Sequence, residues 1–193
     1  MSQIAVLVFE AEGLSEAFYA SQIQDKPDIS QDRAKVAYEE IERLVKDGKM
    51  AVESGTIVVK DNLGKVKIIK TSEWTAKSGA GWGAFWGLLV GLIFAGPLLG
   101  LLGGLGLGAL IGGKKHQPID RDFMKSLSEA LKPNEAALFL LIKEGDAATL
   151  ERLGSYDATV FTTVLTDDVE EAINNAVEQE EVRAAIEFEA DES

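Results

Sequence analysis

Between Gly79 and Gly113 the chain holds only Gly, Ala, Leu, Val, Ile, Phe, Trp and one proline, 35 consecutive positions without a charge, hydroxyl or amide side chain. A helix of that length on a globular core needs a polar face, so this composition points to a segment surrounded by lipid or protein and not by water. Glycine costs up to about 1 kcal/mol per helical position relative to alanine, so the glycines here forgo roughly 10 kcal/mol of intrinsic helix propensity. A bilayer, in which an unpaired backbone costs more still, would enforce the helix regardless.

The glycines are ordered. Gly79, Gly83, Gly87 and Gly91 form one four-residue ladder, and Gly96, Gly100, Gly104, Gly108 and Gly112 form a second. Residues four apart share a helix face, so each ladder reads as a flat stripe for close helix packing. The ladders lose phase at Gly96 and Pro97, and proline starts helices better than it continues them. A single helix over the whole stretch would be about 50 Å long against a hydrocarbon core of about 30 Å, so a helical hairpin turning at Gly96 and Pro97 is expected. Lys77 flanks its entry and Lys114 and Lys115 its exit, while Trp74, Trp82 and Trp86 cluster near the entry, as membrane-interface residues would. Both ends are then on the cytoplasmic side of a cytoplasmic membrane, with arms barely long enough to cross or else re-entrant.

The flanks read as one α+β domain split by this hairpin. Ile4 to Phe9 is a continuous apolar run, as in a strand covered on both faces and unlike a signal peptide. "SQDRAKVAYEEIERLVKDGKM" spaces Val36, Ile41, Leu44 and Val45 for an amphipathic helix, capped by Ser30 or Asp32 and stopped at Gly48. "GTIVVKDNLGKVKIIKT" gives two strands joined through Asp61 to Gly64. "DRDFMKSLSEAL" predicts a helix ending before Pro133, "EAALFLLIKE" a strand, and "AATLERLGSYDATVFTTVL" a short helix and a fifth strand. The expected architecture is a ferredoxin-like β-α-β-β-α-β core with an extra strand, interrupted by a glycine-zipper membrane hairpin. Its parts are residues 1–77, the hairpin 78–115, residues 116–165, and an acidic helix and tail at 166–193.

The quoted stretch "WTAKSGAGWGAFWGLLVGLIFAGPLLGL", the preceding "IVVKDNLGKVKI", and the later "EALKPNEAALFLLI" and "YDATVFTTVL" resemble a family of prokaryotic predicted membrane proteins of unknown function. In that family an α/β domain is interrupted by a glycine-rich hydrophobic hairpin. The resemblance runs from Lys35 onward and implies a topology but no activity. Residues 10–32 and the long acidic tail depart from the compact form of that family.

The remaining composition narrows the function. A formal charge of −13 over 193 residues argues against nucleic acid as a partner. With no cysteine and a single histidine, His116, neither a thiolate nor a zinc site is expected, and no cofactor is implied. No G-x-S-x-G, Walker or dinucleotide fingerprint occurs, and "GLLGGLGLGALIGG" follows no strand, so no catalytic residue is nominated. The tail from Thr166, with apolar residues spaced for a helix over about 168–187, reads as a solvated helix face, with a docking arm for a protein partner as the alternative. The expected function is that of a non-enzymatic membrane protein, with the lipid bilayer and copies of itself as partners, serving as a scaffold, in membrane organisation or in stress protection. The alternatives are a soluble particle with its hairpins buried centrally, and a ligand-binding or pore-forming module.

Overall fold

Strand β1 (Ser2–Phe9) and strand β4 (Glu135–Lys143) are the apolar runs that the sequence marks as covered on both faces, and they pair antiparallel from Ser2↔Lys143 to Phe9↔Ala136. The computed structural model describes residues 2–10, 29–73, 119–143 and 147–167. It also describes helical positions 83, 85–87, 89–91, 93 and 94, and positions 171 and 175. With β2 (Val52–Lys60), β3 (Val66–Glu73) and β5 (Thr159–Leu165), these strands form a five-stranded antiparallel sheet of order β3-β2-β4-β1-β5. Three helices accompany it: α1 (Ile29–Lys46), α2 (Arg121–Ala130) and α3 (Ala147–Leu153).

The α+β class and the five strands agree with the sequence. The order differs from the expected ferredoxin-like β-α-β-β-α-β core, whose third strand would lie between the first two. Here β4 occupies that place, pairing with β1 on one side and β2 on the other, and the hairpin strand β3 is at the edge. Composition explains the exchange. Residues 135–142 of β4 are buried throughout, whereas β3 carries two lysines and a glutamate that a central strand would have to bury.

The period of two in each strand divides the core into two layers. On one face Ala5, Leu7, Ile57, Leu138 and Leu140 pack against α1 and against Leu153 of α3. The stripe that α1 buries is Ala34, Ala37, Tyr38 and Ile41, spaced i, i+3, i+4, i+7. Val36, assigned to that stripe from the sequence, is instead 66% exposed. The helix begins at Ile29, so Ser30 and Asp32 lie inside its first turn and not at its cap. Its end follows expectation: Gly48 takes φ +69°, and Lys49 N–H reaches back to Leu44 C=O at 2.8 Å, which closes the helix in a left-handed cap.

The β2–β3 turn is equally local. Gly64 has φ +78°, and Asp61 Oδ1 accepts from Leu63 N–H and Lys65 N–H at 2.9 and 2.8 Å while Lys67 Nζ lies 3.1 Å from Oδ2. The Lys65 amide, with help from Lys67 and the Leu63 amide, holds the Asp61 carboxyl below its usual range. A depressed folded value stabilises the hairpin above the unfolded carboxyl pKa of about 4, and that contribution is lost as pH falls through the folded value. Asp61→Asn keeps the acceptor oxygen but not the charge. Its urea midpoint is expected to fall less steeply than wild type between about pH 4 and pH 2, as parallel denaturation curves would show.

On the other face lie Ile4, Val6, Val8, Val58, Phe139 and Leu141. Helix α2 covers part of it through Phe123 and Leu127. Asp120 caps α2 by accepting from Phe123 N–H at 2.8 Å, and Lys60 Nζ donates to Leu131 C=O at 2.9 Å just past its other end. The rest of that face is covered by the helical positions between 83 and 94.

Candidate functional site

Phe85, Trp86, Leu89, Val90 and Ile93 recur at i, i+1, i+4, i+5 and i+8, one broad helical face, and all five are buried in the core layer with Phe139 and Leu141. Trp86 is fully buried. Its Nε1–H donates to Ser54 Oγ at 2.8 Å, and its ring meets Phe85 edge-on at 5.3 Å and Phe139 at 6.2 Å. Phe94 packs on Phe139 as well, at 6.2 Å between centroids. Such edge-to-face pairs add to the burial of the rings.

Trp86 is therefore seated in the core layer between this helix and the sheet. The amphipathic signal that suggested a belt comes from a tryptophan whose ring needs an apolar pocket and whose N–H needs one acceptor, and β2 supplies that acceptor from inside the sheet. The sequence alone did not single out Ser54, a buried hydroxyl in the strand "VESGTIVVK". The available signal was that a tryptophan on a core face requires a polar partner nearby.

Gly83, Gly87 and Gly91 occupy the opposite side of the same helix and are exposed. A Cβ built on any of the three meets nothing within 4 Å. Of the first ladder, these three positions are thus brought into one outward stripe, with no helix of the described residues against it. The large side chains fix the helix to the sheet, and the glycines present bare backbone outward.

Gly79, Gly96, Gly100, Gly104, Gly108, Gly112, Pro97, Trp74, Lys77, Trp82, Lys114, Lys115 and His116 lie outside the described residues, as does most of the expected hairpin. No helix among the described residues is long and apolar enough to cross a membrane. Among the described residues no group of three or more His, Cys, Asp or Glu side chains is placed to hold a metal ion.

Away from this helix, Arg33 joins three segments of the chain. It donates to Glu10 C=O at 3.0 Å, to Asp157 Oδ2 at 2.6 Å and to the Asp157 backbone carbonyl, and it stacks over Phe9 at 5.7 Å. It ties the end of β1 and the loop before β5 to α1. Tyr156, in the same loop, has its phenol pushed up to about 12 by burial and by Glu40. That keeps the hydroxyl protonated and makes it a poor base at neutral pH.

A family model described as "Protein of unknown function (DUF1269)" matches residues 80–178, about half of the chain, including the helix at 83–94, α2, β4, α3 and β5. That description names no activity. No curated protein and no solved structure matches the chain.

Proposed function

From the premise that this chain belongs to the DUF1269 family of proteins of unknown function, we propose a non-enzymatic role in which it contacts a lipid bilayer through residues 95–113 and assembles with copies of itself through the outward glycine stripe. The observation that carries this reading is the two-sided helix at 83–94. Five large side chains lock it to the sheet while Gly83, Gly87 and Gly91 face open space. Small residues let backbones approach closely, and the gain comes from dispersion and weak backbone hydrogen bonds along the stripe.

Chain length constrains the membrane contact. Ile93 and Ile119 are buried in the same core layer, so the two ends of the intervening stretch are anchored on one face of the domain. Crossing a bilayer and coming back takes about 40 helical residues, and the 24 residues at 95–118 are too few. The reading is therefore a re-entrant contact with the α+β domain on one side. Lys77, Lys114 and Lys115 favour the cytoplasmic side. The organisation of a membrane surface fits such a molecule better than a pore, since residues 79–113 offer no polar side chain to line a path.

The test uses the absence of cysteine. Gly91→Cys is expected to cross-link between copies in isolated membranes, and adding Gly87→Leu is expected to abolish that cross-link. The double variant should stay in the carbonate-resistant membrane fraction with an unchanged unfolding transition, because the added side chain projects into open space. Cross-linking that survives Gly87→Leu would refute the glycine stripe as an assembly surface. Recovery of the wild type as a detergent-free monodisperse particle would refute the bilayer contact.

A further inference from the structure

The sheet has two outer edges, and they are built differently. The sequence of β3, VKIIKTSE, carries lysines and a glutamate, and its pairing with β2 shifts register between Ile57 and Val58. Charges and bulges of this kind keep foreign strands off an edge. Strand β5, TVFTTVL, has no charge, proline or glycine, and it pairs with β1 in unbroken register from Val8↔Thr159 to Ser2↔Leu165. No strand among the described residues lies on its other side. Both core layers run out to this edge, with Val160 on the α1 and α3 face, Phe161 on the other, and Val164 45% exposed. In a chain of net charge −13 a neutral, β-branched edge is the exception.

We propose that the outer edge of β5 pairs antiparallel with β5 of a second copy about a two-fold axis through Thr162, joining two five-stranded sheets into one continuous sheet. The strand is self-complementary in that register. Val160 falls opposite Val164 of the second copy and Thr162 opposite its own counterpart on one face, while Phe161 falls opposite Thr163 on the other. Aromatic and β-branched cross-strand pairs are the favourable ones. At each end Asp167 of the second copy falls opposite Asp157, a like-charge pair that Arg33, 2.6 Å from the Asp157 carboxylate, offsets in part. A peptide from another protein would need only the backbone of β5. About Thr162 the two valines exchange places, Thr162 meets its own counterpart, and every pair from Thr159 to Leu165 is uncharged, which fits a copy of the strand. Because β3 is guarded, the pairing closes at two copies and does not propagate. This surface is distinct from the glycine stripe and stands independently of it.

The chain lacks cysteine, so Thr162→Cys places one thiol on the proposed axis. Under mild oxidation in detergent it is expected to form a disulfide-linked dimer, and Lys67→Cys on β3 is not. In a Gly87→Leu background, which removes association through the glycine stripe, sedimentation is expected to show a dimer still. Thr162→Lys sets like charges opposite one another and should weaken that dimer at least about tenfold, with the unfolding transition of the dilute protein unchanged, whereas Thr162→Val should retain it. Failure of Thr162→Cys to cross-link, or a dimer unaffected by Thr162→Lys, overturns the proposal. A monomer in the Gly87→Leu background overturns it too, whether β5 is then bare, covered by residues 11–28, or bound to a strand of another protein.

Discussion

Trp86→Ala is expected to cost the fold about 3–5 kcal/mol, the range for removing a large aromatic from a packed core. A domain of this size has about 5–15 kcal/mol in total, so the variant should lose roughly 6–20 °C in thermal midpoint. The size of the effect follows from position. The ring fills the space between Phe85 and Phe139 over the middle of the sheet, and its N–H is held by Ser54 inside the protein. Trp86→Phe separates the two contributions. It keeps most of the ring contact and removes the donor, and it should cost markedly less than alanine. Urea denaturation followed by far-UV circular dichroism reads both. A tryptophan seated in a headgroup region would behave otherwise: its replacement would weaken membrane binding and leave the urea midpoint where it was. That outcome would remove the helix at 83–94 from the core and seat Trp86 at a membrane surface.

The same helix shows what the sequence does and does not make legible. β1 and β4 are evident from continuous apolar runs, because a strand covered on both faces has no alternation to hide. The stop at Gly48 and the turn from Asp61 to Gly64 are evident because each is decided within a few residues, by a positive φ and a side-chain acceptor. Strand order is not local. Whether β3 or β4 enters between β1 and β2 depends on which strand can bury both faces, and that comparison joins residues some 70 positions apart. For α1 the apolar residues were visible, but the buried stripe uses Ala34 and Ala37, which a hydropathy pattern underweights, and leaves out Val36.

At 83–94 the periodicity was present in the sequence: every large residue of Phe85, Trp86, Leu89, Val90 and Ile93 lies on one side, with Gly83, Gly87 and Gly91 on the other. The four-residue spacing of the glycines was visible too. The candidate site was thus half legible: the stripe was readable, and the partner of the opposite face, Ser54 with Phe139, was not, since it comes from strands far along the chain.

Deleting residues 79–113 and deleting only residues 96–112 should give opposite results, and the contrast is the largest effect expected from any change to this chain. The longer deletion removes the cover over Ile4, Val6, Val58, Phe139 and Leu141 on one face of the sheet, leaving α2 as the one helix of the described residues on that side. Five lost large side chains at about 1.5–3 kcal/mol each amount to roughly 8–15 kcal/mol, as much as the whole stability of an ordinary domain, about 5–15 kcal/mol. This variant should therefore show no cooperative unfolding transition and should bind ANS. The shorter deletion leaves every buried residue of both core layers in place and asks only that a brief linker join Ile93 to Ile119, which are already in one layer. It should unfold cooperatively near the wild-type urea midpoint, remain folded without detergent, and lose its association with membranes. Equal survival of both deletions would mean that the helix at 83–94 contributes nothing to the domain. Equal loss of folding would mean that residues 96–112 belong to the core, and would refute their assignment to a bilayer surface.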